Sequence, residues 1–92
     1  MARIRWTSAA LRQLDSLLDS LAAEDAETAV SVGRRIDAAI ARLASFPESA
    51  PVYVKRLRRL SVPGLPYSCY YELFSDEVRI IHIRHDKLSP LQ

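Results

Sequence analysis

The sequence predicts an α+β domain of order βααβββ, in which an N-terminal helical hairpin packs on one face of a small, mostly antiparallel sheet. Three observations predict it. Apolar residues recur at helical spacing between residues 8 and 45, and they follow strand-like patterns before and after that stretch. Pro47, Pro51, Pro63, Gly64 and Pro66 all fall after the helical region, where they mark loops and turns.

Ala2, Ile4 and Trp6 alternate with Arg3 and Arg5, which gives a short half-buried first strand. Thr7 or Ser8 can cap the helix that follows, because either side chain accepts a hydrogen bond from a free backbone N–H. Leu11, Leu14, Leu18 and Leu21 then recur one turn apart, so the first helix spans 8–22. Glu24, Asp25 and Glu27 place negative charge where a helix N-terminus favours it. Ala29, Gly33, Ile36, Ile40 and Leu43 continue as one stripe, so a second helix spans 25–45 and stops before Pro47. The short link makes the pair an antiparallel hairpin. Gly33 costs a helix about 1 kcal/mol relative to Ala, and its place in the stripe predicts close approach of another backbone.

FPESAP, residues 46–51, is a connecting loop. VKRLRRLSV, residues 54–62, reads as one strand with Arg56, Arg58, Leu60 and Val62 on one face, and with a bulge that reconciles Leu57 with Leu60. PGLP at 63–66 is a turn, and YSCYYELF at 67–74 is an aromatic strand. Ser75, Asp76 and Glu77 turn the chain into VRIIHIRH at 78–85, the most hydrophobic strand and the predicted centre of the sheet.

Ninety-two residues hold one domain, 1–92, since separate cores arise only beyond roughly 250 residues. The hydrophobic share of 49% and charged share of 26% exclude a disordered or collagenous chain. Cys69 has no second thiol to pair with, which suits a reducing compartment. No signal-peptide core or membrane-spanning run occurs, so a cytoplasmic protein with no membrane partner is expected. The charge is divided unevenly: residues 1–50 carry six Arg against seven acids, a net of −1, whereas residues 51–92 carry seven cations against four acids, a net of +3.

Metal and nucleotide chemistry find little support. His82 and His85 lie three apart on a strand and leave opposite faces, so no metal site is assigned. Gly33 and Gly64 are the only glycines, which leaves no phosphate-cradling loop. Cys69 sits among aromatics, where a cysteine behaves as a small buried hydrophobe. The cationic half offers two other chemistries. Arg58, Arg59, Arg79, Arg84, His85 and Lys87, interleaved with Tyr67, Tyr70 and Tyr71, can bind phosphates and stack bases. The same groups can cleave RNA without metal, with His, Lys or Tyr moving protons and Arg stabilising the transition state. The bland alternative makes these arginines solvated or ion-paired and the tyrosines core. On the helices, Leu17, Val30, Val32 and Ala39 provide apolar residues at further angles, suited either to helix packing or to a groove for a partner.

Several segments, in order, resemble the RelE/ParE family of type II toxin–antitoxin toxins across nearly the whole chain. SAALRQL at 8–14 is similar to the start of that family's first helix, and ARLASFP at 41–47 to the end of its second. RRLSV at 58–62, PYSCYYE at 66–72 and VRIIHIRH at 78–85 resemble its three C-terminal strands, the last ending in a frequent His. The resemblance implies a bacterial toxin that arrests growth when free and is neutralised by a tightly bound cognate antitoxin. In this family the antitoxin wraps an extended or helical tail around the toxin, and its N-terminal domain binds operator DNA, which the toxin reaches only indirectly. A ParD-like antitoxin of ribbon-helix-helix type is implied, expected on Leu14, Leu17, Leu18, Val30 and Arg34.

The family divides by target. RelE-like members cleave mRNA on the ribosome with Lys and Arg, often helped by a Tyr near the C-terminus, and ParE-like members act on DNA gyrase. Here Ser68 stands where RelE-like toxins often carry an Arg, Leu88 replaces a later Arg with Lys87 beside it, and the tail 86–90 holds no Tyr. These departures put the gyrase-directed branch ahead, with Arg79, Arg84, His85 and Lys87 as the target-binding set. The ribonuclease alternative would use Arg58, Arg59, Tyr71, Arg84 and His85, and an attenuated toxin also stays open. Neither branch implies a cofactor.

Overall fold

The computed structural model describes residues 1–87. Strand β1 (Arg3–Trp6) leads through Thr7 into helix α1 (Ser8–Glu24), and α2 (Ala26–Ala41) follows with a 3-10 turn at Arg42–Ala44. The sheet is completed by β2 (Val52–Val54), β3 (Leu57–Ser61), β4 (Tyr67–Phe74) and β5 (Glu77–His85). Thr7 is the N-cap: its hydroxyl accepts from Ala10 N–H at 3.1 Å.

One residue joins the helices. Asp25 donates its N–H to Leu21 at 2.9 Å, closing α1, while its carboxylate accepts from Glu27 N–H at 3.0 Å and the Thr28 hydroxyl at 2.9 Å, opening α2. The Thr28 hydroxyl, with the backbone N–H groups behind it, holds the Asp25 carboxyl below the usual carboxylate range. The hairpin folds back so that Leu18 packs over Gly33, with the leucine methyls 3.7 Å from where a Cβ would stand. The expected backbone approach at Gly33 is therefore corrected to an ordinary side-chain contact.

The strands lie in the order β1-β5-β4-β3-β2, with β1 parallel to β5 and all other pairs antiparallel. The middle strand is β4 rather than the more apolar β5, which lies second from the edge. The single strand expected over 54–62 is two strands, folded about Lys55 and Arg56 with Lys55 at φ 53°. Nothing in Lys-Arg marks a turn, because left-handed backbone ordinarily selects Gly or Asn. Arg56 accordingly lies in the turn, apart from Arg58 and Leu60 on β3, and Val62 follows one residue past that strand's end. The irregularities in pairing fall between Val52 and Val54 and between Tyr70 and Tyr71, not between Leu57 and Leu60.

The core lies between the hairpin and one face of the sheet. Ala10, Val32, Ile36, Ile40 and Leu43 meet Leu60, Cys69, Tyr71, Val78, Ile80 and Ile83 there. Burial pushes the Cys69 thiol up to about 12, the environment of an inert hydrophobe. Arg35 donates to Pro63 O at 2.7 Å and ties α2 to the turn between β3 and β4, where Gly64 sits at φ 74°.

Candidate functional site

Strand β1 is four residues long and β5 nine, and their pairing ends at Trp6 opposite Ile80. Beyond Ile80 the outer edge of β5 meets α1 instead of a strand. Thr7 N–H donates to Ile80 O at 3.1 Å, and the Thr7 hydroxyl reaches Ile81 O at 3.5 Å. Ile83 N–H donates to Gln13 Oε1 at 3.0 Å, and Gln13 Nε2 lies 3.3 Å from His82 Nδ1. Between α1 and this edge runs an open groove of about 770 Å³. Its wall is apolar at Leu17, Leu21 and Tyr67, and among the described residues its lining includes Arg12, Arg84, His82 and His85 but no carboxylate. An extended or helical segment with apolar and acidic side chains matches such a groove in shape and charge.

The candidate target-binding residues divide. Arg84, His85 and Lys87 gather at the C-terminal end of β5, where Lys87 N–H donates to His85 Nδ1 at 3.0 Å and the His85 ring meets Tyr67 edge to face. Arg79 stands near the other end of the strand. It bonds Glu77 at 2.7 Å and lies 4.1 Å above the Phe74 ring, with Arg56 on that ring at 5.5 Å. Leu88, Ser89 and Pro90, part of the tail comparison, lie outside the described residues.

The candidate ribonuclease residues do not share one pocket. Tyr71 is fully buried, its hydroxyl donates to Pro47 O at 2.8 Å, and burial pushes its phenol pKa up. Arg58 donates to Ala50 O at 2.8 Å and Glu48 O at 3.3 Å, so both residues staple the loop that precedes β2. Arg59 faces the opposite side of the sheet, where its Nε donates to the Ser68 hydroxyl at 3.2 Å. Ser68 in turn donates to Asp86 at 2.6 Å. Only Arg84 and His85 line the groove.

Of the candidate antitoxin-binding residues, Leu14, Leu17 and Leu18 pack partly against the core, and Leu17 also lines the groove. Val30 and Arg34 line a separate hollow of about 580 Å³ on the outer side of α2, with Glu27 and Ser31. Val32, one of the extra apolar positions, is buried as helix packing predicts.

Gln13, Arg12 and the Ser68–Asp86 pair were not singled out by the sequence. For Gln13 a signal existed: a first strand of about five residues beside a last strand of about eight leaves an edge that something on α1 must satisfy.

With this geometry in view, the comparisons with known proteins agree in kind. A family model described as the ParE toxin of the parDE type II toxin–antitoxin system matches residues 4–88. A curated protein of Sinorhizobium fredii, named "Putative toxin Y4kP", is 37% identical over 84 residues, covering 90% of this chain and 86% of that protein. A solved structure described as "Chromosomal ParDE TA system from P. aeruginosa" superposes with a TM-score of 0.80. At 22% identity over 92% of this chain and 96% of that one, it shows the same fold. The chain belongs to the ParE toxin family of type II toxin–antitoxin systems.

Proposed function

We propose that this toxin arrests growth by binding DNA gyrase, not by chemistry of its own, and that a cognate antitoxin neutralises it by occupying the groove between α1 and β5. The observation that carries the binding reading is the engagement of Tyr71 and Arg58. A proton-transferring Tyr and a phosphate-holding Arg would need to reach substrate, whereas both are spent on carbonyls of residues 47–50. Arg84, His85 and Lys87 then form the gyrase-binding patch, with Arg79 a secondary contact already neutralised by Glu77. The antitoxin is of ParD-like, ribbon-helix-helix type, and its tail brings acidic residues to Arg12 and Arg84, an apolar one to Leu17, and continues to Val30 and Arg34. Both partners place the site of action in the cytoplasm.

The test pairs two assays on purified toxin. Inhibition of supercoiling or trapped gyrase cleavage complexes, relieved by the antitoxin, supports the reading. Cuts in mRNA on translating ribosomes with gyrase untouched would establish the ribonuclease alternative in its place.

A further inference from the structure

Gln13 and His82 line the groove without having been given a contact to target or antitoxin above, and together they close the open edge of β5. The Gln13 amide is a side-chain copy of a peptide group. Its Oε1 receives Ile83 N–H at 3.0 Å, which leaves Nε2 facing His82 Nδ1 at 3.3 Å. An amide nitrogen only donates, so Nδ1 must be the lone-pair nitrogen of a neutral ring whose proton sits on Nε2. That tautomer is assigned from the hydrogen-bond network. A second proton would land on Nδ1 and point at a donor. Turning the amide over to accept that proton aims its NH₂ at Ile83 N–H. No orientation of Gln13 serves both partners once His82 is charged.

We propose that Gln13 and His82 form a proton-gated latch: neutral His82 holds the amide in place on Ile83 and fastens α1 to the β5 edge, and protonation of His82 releases it. The surroundings set the direction of the gate. Arg12 shares the groove from α1, Tyr70 lies opposite His82 on β4, and Arg84 and His85 follow on β5. Asp86, the carboxylate that follows His85 in the chain, is engaged by Ser68 and Arg59. Burial first, and Arg84 second, hold His82 below the ordinary histidine pKa, so the latch is shut at neutral pH and opens on acidification. A partner strand entering the groove meets Ile83 N–H only after Gln13 has left, so acidification also lowers the cost of docking. That consequence rests on the antitoxin reading; the latch does not.

NMR on the full chain without partner tests it. At about pH 7.5, His82 is expected as the Nε2–H tautomer, with the Ile83 amide protected from exchange. As pH falls, Ile83 protection is expected to drop about tenfold, the equivalent of one hydrogen bond, with the midpoint of the His82 titration and with β4 core amides unchanged. Gln13→Leu is expected to remove Ile83 protection at every pH, and His82→Leu to remove its pH dependence. An Nδ1–H tautomer in the unmodified protein near pH 7.5, or a His82 that titrates while Ile83 protection stays constant, overturns the latch.

Discussion

The Tyr71 hydroxyl donates to the Pro47 carbonyl at 2.8 Å from a ring with no exposed surface, so an aromatic residue of the middle strand fixes the loop that ends the helical half. Tyr71→Phe keeps the ring and orphans the carbonyl, and is expected to cost about 1–2 kcal/mol in urea unfolding. Growth arrest by the variant, scaled to soluble toxin, should match the parent; a selective loss of toxicity would return Tyr71 to the candidate catalytic residues.

Ser68 is fully buried and gives its hydroxyl to the Asp86 carboxylate at 2.6 Å. Ser68→Ala should lower stability by about 1.5–2 kcal/mol, the lower end of the range for a hydrogen bond to a charged group, because Asp86 is partly exposed. With Asp86→Asn it forms a double-mutant cycle, and the paired loss should fall short of the sum.

Lys55 occupies left-handed backbone at φ 53°. Lys55→Gly relieves the Cβ clash while adding freedom to the unfolded chain, and a net gain of about 0.5–1 kcal/mol is expected. Thermal melting reads it directly, and a loss would mean that the lysine side chain supports the turn.

Acid should weaken the fold in two stages. His82 has its folded pKa depressed from 6.5, so the unfolded chain takes up the proton first. Stability is full above about 6.5 and declines below it until the folded pKa is passed. Asp25 is also depressed, from 3.8, so its contribution persists above that value and is lost as pH falls through its lower folded pKa. Stability measured against pH should lose the first stage in His82→Leu and the second in Asp25→Asn.

On the gyrase reading, Arg84→Ala combined with Lys87→Ala should weaken gyrase inhibition about tenfold or more while changing stability by no more than about 0.5 kcal/mol. Arg79→Ala should affect inhibition less, because Glu77 and Phe74 already engage that guanidinium. An equal or larger effect from Arg79 would move the patch to the other end of β5.

The sequence made the helical hairpin and the aromatic and apolar strands legible because each obeys one periodicity over many residues. It missed the β2–β3 hairpin because Lys55 carries the turn without a residue type that advertises it. The cationic half was visible, but its partition was not: Arg58 and Arg59 are neighbours in sequence on opposite faces of a strand, one holding a loop and the other a serine. Gln13 escaped notice because its role depends on where another strand ends, a relation between residues 70 apart.

The single-residue joint at Asp25 leaves α1 and α2 no slack, so the hairpin moves as one lever or not at all. Any guest that pries α1 from β5 swings α2 as well, and strains the grip of Arg35 on Pro63. Opening the groove is thus felt at the turn between β3 and β4, which Arg35 holds from α2.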